Sequence, residues 1–383
     1  MAFENRIALI KKIQDLRGST VICYLTSLRP NAPAQMADDS VRVVFDHLLR
    51  FQQRPIEQLD IFLVSNGGSG TVPWRLVSVF REFSKSFSVL IPYRAYSAAS
   101  LLALGADEIV MHPFGELGPI DPTVSNDYNP VEPGTGRRIG ISVEDVRAYV
   151  NFVKSVGISH EDELVKTIEI LANKVHPLAL GNVERFLAQS RMIATKIMRT
   201  HMRNADDHTI KDIVENMASK LYFHGHPINR REAKEDLKLK VNSDLPPELE
   251  TAMWDLYLDY EVEFENLSVF NPHAELSAMP DPQPPAQGQP APQKVKTFDL
   301  IHAIVESSPL SSKHVTRRRY QMLPSPPGQV MIQEEILSQA WSHSPAPAAA
   351  SPSGPSSSSP AGAQPAGKKA RAKPGRKSRP AKG

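Results

Sequence analysis

Short apolar runs alternate with helical segments between residues 20 and 111, and this alternation constrains the fold more than any other feature of the chain. The runs lie between turn residues and predict strands over 20–25, 59–64, 88–92 and 108–111. Apolar side chains recur between them at helical spacing, at Val41, Val44, Phe45, Leu48 and Leu49, at Val72, Leu76, Val79, Phe80 and Phe83, and in a small-residue helix over 98–105. Strands that alternate with helices through short turns are typical of a parallel sheet in an α/β fold.

The rest of the chain divides by composition. Residues 115–140 are turn-rich, and helical spacing returns between 142 and 266. Because 19 of the 33 prolines fall in the last 113 residues, we predict one globular domain over 1–270. A proline-rich linker over 271–295 and a short appended segment over 296–343 follow, the latter adding a single strand at an edge of the sheet. The Pro/Ala/Ser-rich basic tail, 344–383, is predicted to be disordered.

Charge and cysteine content limit the partners and the compartment. Lys368–Gly383 carries eight basic and no acidic residues, so the formal charge of +2 for the whole chain becomes −6 without it. Nucleic acid or an acidic partner is therefore expected only at the tail. The single cysteine, Cys23, cannot form an internal disulfide, and no apolar run approaches the roughly 18 residues that span a bilayer. We predict a cytoplasmic protein without a membrane span.

Two features of the first domain could support acyl transfer. Gly67 and Gly68 follow a predicted strand, and glycines let backbone N–H groups approach a ligand closely. Ser97 begins a predicted helix near its positive end, beside the small residues Ala98 and Ala99. A serine nucleophile needs such donors for the oxyanion that it creates. The same residues also fit a purely structural interpretation, in which the glycines form a tight turn and Ser97 caps the helix.

Four motifs together resemble the Clp/crotonase superfamily of serine peptidases. They are Ser65-Asn66-Gly67-Gly68, Ala95-Tyr96-Ser97-Ala98-Ala99-Ser100, Ala106-Asp107-Glu108-Ile109-Val110-Met111 and Leu117-Gly118-Pro119-Ile120-Asp121-Pro122. Within the superfamily the chain resembles the serine dehydrogenase proteinase family, which is related to signal peptide peptidase A. The resemblance runs from about Arg6 to Val241 and includes 174–178 and 226–233.

This resemblance implies a Clp/crotonase-like fold of repeated β-α units with a helical C-terminal part. It also implies that Ser97 is the nucleophile, that Gly67 and Gly68 form the oxyanion strand and that Asp107–Met111 is the strand behind the nucleophile helix. The family's Ser-Ala-Gly-Thr sequence reads Ser97-Ala98-Ala99-Ser100 here. Ser100 is therefore the second-choice nucleophile, although a serine at the start of a helix more often bonds to the backbone.

The sequence offers a histidine and two lysines as candidates for the general base. Clp-type peptidases use a histidine, but His112 comes too early, since the family's histidine would fall near Ile120. A Ser-Lys dyad as in signal peptide peptidase A fits better, because burial can lower the pKa of a lysine enough for it to act as a base. Lys174 is our first choice and Lys154 the alternative. Either lysine could instead be a solvated surface charge.

No cofactor or metal site is expected. His224-Gly225-His226 lacks Cys, Asp or Glu at metal-ligand spacing and is interpreted as a turn. Gly67-Gly68-Ser69-Gly70 matches neither the dinucleotide-binding nor the P-loop spacing.

The sequence therefore predicts a serine peptidase that cleaves peptide bonds through an acyl-enzyme at Ser97. The resemblance supplies the peptide substrate and also implies a homo-oligomer, with the helices of 142–266 as its contact surface. Two alternatives stay open. A non-catalytic scaffold or binding protein of the same fold is predicted if neither Lys154 nor Lys174 comes within hydrogen-bond reach of Ser97. A crotonase-like acyl-CoA enzyme would need Glu116 or Asp121 as its base.

Overall fold

A computed structural model describes residues 3–120, 123–124, 127–134, 136, 138–220, 225–283, 293–323 and 331–346. Residues 284–292 of the predicted linker and the tail from residue 347 onward lie outside these residues. The chain begins with elements in strict alternation: α1 (Phe3–Arg17), β1 (Thr20–Thr26), α2 (Asp39–Leu48), β2 (Ile56–Val64), α3 (Val72–Phe83), β3 (Ser84–Ile91), the short β4 (Arg94–Ala95), α4 (Ala98–Ala103) and β5 (Glu108–Met111).

Helices dominate the middle of the described chain. After three two-residue strands, β6 (Glu116–Leu117), β7 (Thr123–Val124) and β8 (Ile141–Ser142), come α5 (Val143–Ser155), α6 (Glu161–Ala172), α7 (Pro177–Arg199) and α8 (Asp207–Glu215) with a π-helical turn (Asn216–Lys220). Then follow β9 (Ile228–Asn229), α9 (Arg230–Glu235), β10 (Val241–Asn242), α10 (Pro247–Glu263), α11 (Pro272–Ser277), β11 (Val295–Ser307), β12 (Leu310–Leu323) and β13 (Met331–Pro345). None of these helices is both long and apolar enough to cross a membrane.

The large sheet has eight strands in the order β10-β5-β3-β2-β1-β11-β12-β13. The five strands from β10 to β1 run parallel, and β11, β12 and β13 continue the sheet antiparallel from β1. The parallel strands are almost entirely buried because helices cover both of their faces. Helices α2, α3, α4 and α7 pack on one face, and α1 and α10 pack on the other. The predicted α/β fold of repeated strand–helix units is confirmed.

The segment after residue 295 corrects the expectation of one added strand at an edge. It forms three strands, and β11 lies inside the sheet, paired with both β1 and β12. Strand β13 reaches Pro345, so the first residues assigned to the tail belong to the sheet. The sequence did not signal β13 because its side chains are largely exposed on both faces, and such a strand shows no apolar alternation.

A buried histidine joins helix α2 to the β11–β12 turn. His47 is fully buried, with Nδ1 2.7 Å from Ser307 Oγ and Nε2 2.9 Å from Ser312 Oγ. Burial lowers the pKa of His47 to about 3, whereas the pKa of a histidine in an unfolded chain is about 6.5. Between these two values the unfolded state binds the extra proton, so the free energy of unfolding falls as the pH falls.

We predict a pH dependence of stability that belongs to His47. Its contribution is complete above pH 6.5 and decreases by about 1.4 kcal/mol per pH unit toward pH 3. Between pH 7 and pH 5, urea unfolding should show that the wild type loses about 2 kcal/mol more than His47→Gln does. His208→Gln removes an exposed histidine and should keep the wild-type slope. Equal slopes for the wild type and His47→Gln would show that this histidine is not buried in its neutral form.

Candidate active site

Ser97 lies between β4 and α4 in a conformation that is rare for a serine. Its φ is 52° and its ψ is −115°, which is outside the regions that L-residues usually occupy. Its side chain makes no capping hydrogen bond to α4, so the interpretation of Ser97 as an ordinary helix cap is wrong. Strained conformations of this kind often hold a functional side chain. The local backbone therefore presents the Ser97 hydroxyl without using it.

The glycine turn after β2 packs directly against this serine. Gly67 has a φ of +94°, and a Cβ there would lie 2.7 Å from the Tyr96 carbonyl oxygen and 2.8 Å from Ser97 Cβ. Gly68 has a φ of +153°, and a Cβ there would lie 2.4 Å from the carbonyl oxygen of Met36. Both positions therefore require glycine. The structure brings the two glycines and Ser97 together, as the sequence predicted.

The two glycine N–H groups have different surroundings. The Gly67 N–H donates to Ser65 Oγ at 3.0 Å and is therefore already engaged. Gly68 pairs with Met36 in a parallel bridge whose hydrogen bonds use Gly67 O and Ser69 N. The N–H of Gly68 consequently points away from Met36, and no backbone acceptor for it occurs among the described residues. Gly68, rather than Gly67, can supply an oxyanion donor.

A second donor was not identified from the sequence. Ala98 is the first residue of α4, and its N–H has no backbone acceptor in the described part of the chain. A Cβ on Gly67 would lie 3.0 Å from this nitrogen, so Ala98 N borders the glycine turn. The first N–H groups of a helix lack partners within the helix, and this rule could have indicated the donor once Ser97 was placed.

Ser97 opens into a cavity of about 350 Å³. Its walls come from the glycine turn, the start of α4 and one side of α7, and none of the described lining residues is charged. They are Gln35, Asn66, Gly68, Ser69, Gly70, Thr71, Ser97, Ala98, Leu101, Ile120, Phe186, Gln189, Ser190 and Ile193. The cavity thus combines neutral polar groups with apolar ones, as small-molecule and peptide sites commonly do.

The structure does not bring the predicted lysine bases to Ser97. Lys154 near the end of α5 and Lys174 between α6 and α7 are both exposed, and neither lines the cavity. Phe186 is the lining residue on α7 nearest to Lys174 in sequence, and the helix rises about 14 Å between Pro177 and Phe186. Among the described residues, no hydrogen bond joins either ammonium group to Ser97.

The remaining candidate bases either lie away from the cavity or fall outside the described residues. His112 stacks on Trp254 at 5.3 Å, on the α10 side of the sheet, and burial lowers its pKa. The Glu116 carboxylate accepts a hydrogen bond from the Tyr96 hydroxyl at 2.6 Å and lies 3.6 Å from Arg94 Nε. Asp121 lies outside the described residues. His112 is therefore not the base, and Glu116 does not face the cavity.

Ser100 has a structural role. It is fully buried, and its Oγ lies 2.6 Å from the carbonyl oxygen of Ala95 and 2.7 Å from that of Gly118. It also accepts the Gly118 N–H at 3.0 Å. Because these bonds use the hydroxyl, Ser100 is not available as a nucleophile. The bonds instead hold the 116–120 segment against α4.

The described residues contain no group of three or more His, Cys, Asp or Glu side chains that could hold a metal ion. His226 bonds to Glu232, with Nε2 and Oε1 2.8 Å apart. His224 lies outside the described residues.

Comparison with known proteins adds distant similarities. No protein-family model matches the chain. The Uncharacterized protein MJ1495 of Methanocaldococcus jannaschii is 25% identical over 249 residues, which are 63% of this chain and 73% of that protein. The Uncharacterized protein MJ0137 of the same organism is 22% identical over 259 residues, which are 66% and 78% of the two chains. A solved structure of a mutant of the 1510-N membrane-bound stomatin-specific protease is 14% identical to this chain, with a TM-score of 0.33. The superposition covers 61% of this chain and 85% of the protease chain.

Proposed function

We propose that the protein is a serine hydrolase that transfers an acyl group to Ser97 and then to water. One observation carries this proposal: the strained Ser97 presents an unused hydroxyl at a cavity whose wall also contains the Gly68 and Ala98 backbones. A nucleophile next to two N–H groups without acceptors is the arrangement that acyl transfer requires. The substrate class, a peptide bond, is taken from the resemblance to serine dehydrogenase proteinases.

In the proposed reaction, Ser97 Oγ attacks the substrate carbonyl carbon and its proton passes to a general base. The N–H groups of Gly68 and Ala98 donate to the oxyanion of the tetrahedral intermediate. The C–N bond then breaks, the amine leaves with the proton, and water hydrolyses the ester on Ser97. A lysine base remains our hypothesis, with Lys174 first and Lys154 second. Either lysine would have to approach the cavity from its exposed position.

Labelling with a fluorophosphonate probe tests the proposal. The wild type should be labelled, Ser97→Ala should not, and Ser78→Ala should be labelled like the wild type, because Ser78 bonds to the Trp74 carbonyl at an exposed site on α3. Lys174→Met and Lys154→Met compare the two candidate bases, and replacing the true base should slow labelling strongly. Unchanged labelling of Ser97→Ala, or none of the folded wild type, would overturn the proposal.

A second candidate function is a non-catalytic scaffold or binding protein on the same fold. The exposed positions of Lys154 and Lys174 favour it, since the described lining of the cavity contains no base. A folded wild-type protein that remains unlabelled would support this candidate. The acyl-CoA alternative is weaker, because Glu116 is engaged by Tyr96 and Arg94.

We also propose that the protein forms a homo-oligomer through helix α6. Only Thr167 of this helix is buried, whereas Val165, Ile168 and Ile170 are 47–59% exposed. A 12-residue helix needs packing to be stable in water. Its first turn holds three acidic residues, Glu161, Asp162 and Glu163, and Lys174 follows its end. In an antiparallel pair of α6 helices from two copies, each acidic turn would face the other copy's Lys174, and a Lys174 held in this contact could not also serve as the base at Ser97.

Ile168→Glu is expected to convert this oligomer to monomers, because it places two like charges in the apolar contact between the copies. Lys174→Glu should weaken the assembly by removing the attraction to the acidic turn. Leu267→Glu adds the same charge at a residue outside α6 that is 83% exposed, and it should leave the molar mass unchanged. Light scattering after size-exclusion chromatography measures the mass. A monomeric wild type, or an Ile168→Glu oligomer of unchanged mass, would contradict this interface.

A further inference from the structure

Two buried hydroxyl groups stand behind the glycine turn. Thr26 ends β1 and Ser65 follows β2, at the adjoining carboxyl ends of these paired strands. The Thr26 hydroxyl donates to Ser65 Oγ at 2.8 Å, and both residues are at most 1% exposed. Ser65 Oγ also accepts the Gly67 N–H at 3.0 Å. One oxygen thus receives hydrogen bonds from the end of β1 and from the turn.

The backbone of Ser65 holds the segment that precedes the nucleophile. Its N–H donates to the Arg94 carbonyl, and its carbonyl accepts the Tyr96 N–H, each at 2.9 Å. Ser65 therefore bonds to both parts of the site, the Gly67-Gly68 turn through its side chain and the strand before Ser97 through its main chain. The position of Gly68 relative to Ser97 depends on this residue.

The side-chain bond matters because glycines do not hold a conformation by themselves. Gly67 and Gly68 have φ values of +94° and +153°, and neither has a side chain to restrict rotation. The Gly67 carbonyl oxygen accepts a hydrogen bond from the Met36 N–H at 2.8 Å. The Gly67 N–H donates to Ser65 Oγ on the opposite side. Without Ser65 Oγ the buried Gly67 N–H would lack an acceptor, and the adjoining peptide planes would rotate to find one.

We infer that Thr26 and Ser65 are positioning residues of the oxyanion hole. Ser65 Oγ engages the Gly67 N–H, so that the Gly68 N–H is the one directed toward the substrate, and Thr26 orients Ser65. The inference rests on the proposed hydrolase function and extends it to residues that do not touch the substrate.

The kinetics of fluorophosphonate labelling test this role in the full chain. Ser65→Ala should lower the limiting labelling rate at saturating probe by about tenfold or more, with little change in the probe concentration that gives half of that rate. Thr26→Val, which keeps the shape but lacks the hydroxyl, should lower the limiting rate less. Thr26→Ser keeps the hydroxyl and should therefore be labelled at the wild-type limiting rate. If the substitutions only loosened the site in general, they would also weaken probe binding, and Thr26→Ser would be slowed like Thr26→Val.

Amide hydrogen exchange provides a readout that does not depend on catalysis. In the wild type the Gly67 amide should exchange slowly and the Gly68 amide quickly, and Ser65→Ala should accelerate exchange at Gly67. If the wild type is labelled and Ser65→Ala has the same limiting rate, the inference is overturned and the proposed function stands. If the wild type is not labelled although Gly67 is protected through Ser65, the proposed function fails and the catalytic role of this pair fails with it.

Discussion

Gly68→Ala should slow the labelling of Ser97 by about 10²–10³-fold, the usual cost of losing one oxyanion donor. The added Cβ would lie 2.4 Å from the Met36 carbonyl oxygen and 2.5 Å from the Met36 nitrogen. Both contacts are with backbone atoms, so the turn itself must move. A φ of +153° is also unfavourable for alanine. The displaced N–H would then no longer reach the oxyanion, although Ser97 is unchanged.

Gly181→Ala is the matched control for this substitution. It adds the same methyl group within α7, where nothing lies within 4 Å of the new Cβ. Labelling should remain at the wild-type rate, and the helix should become more stable by up to about 1 kcal/mol. A folded Gly68→Ala protein that is labelled as fast as the wild type would remove Gly68 from the oxyanion hole.

Arg6→Met should lower the free energy of unfolding by about 3–5 kcal/mol, the cost of leaving buried charges without their partner. The Arg6 side chain is fully buried, with Nε 2.7 Å from Glu306 Oε2 and Nη1 2.9 Å from Asp259 Oδ1. Burial opposes its charge, but the hydrogen bonds from Arg6 to Glu306 and Asp259 outweigh that cost and raise the pKa of Arg6. Tyr260 adds a hydrogen bond to Glu306 at 2.7 Å. This network connects α1, α10 and β11.

Arg42→Met is the control, because it removes an arginine from an exposed pair with Asp46 on α2. Such pairs contribute about 0–1 kcal/mol. Urea denaturation of both variants at pH 7 measures the difference. The double variant Arg6→Met with Glu306→Gln should lose less than the sum of the two single changes, because the second substitution removes a stranded charge. A loss below about 1 kcal/mol for Arg6→Met would show that this network does not stabilise the fold.

The same arginine explains why the sequence did not reveal helix α1. Arg6, Ile10 and Ile13 share its buried side, and a charged residue in the first of these positions interrupts the apolar pattern. Four of the five parallel strands, all except β10, were predictable for the opposite reason. Buried on both faces, they form continuous apolar runs such as residues 61–64, and recognising such a run requires no knowledge of the partner strand.

The candidate site was predictable at the positions where its geometry requires a particular type of residue. Gly67, Gly68 and Ser97 are such positions, because close approach of the backbone requires small residues. The Ala98 N–H does not, since every residue except proline has one. Neither the use of the Gly67 N–H by Ser65 nor the distance of Lys174 from the cavity follows from spacing. Both depend on how separate elements pack.

Peptide mapping by mass spectrometry of the fluorophosphonate-treated protein tests the central claim most directly. We predict one covalent adduct, located on Ser97 within the peptide that also contains Ser100, with fragmentation that separates the two serines. Ser97→Ala should carry no adduct there. An adduct on Ser100 or elsewhere, or none on the folded wild-type protein, would contradict an acyl-transfer nucleophile at Ser97.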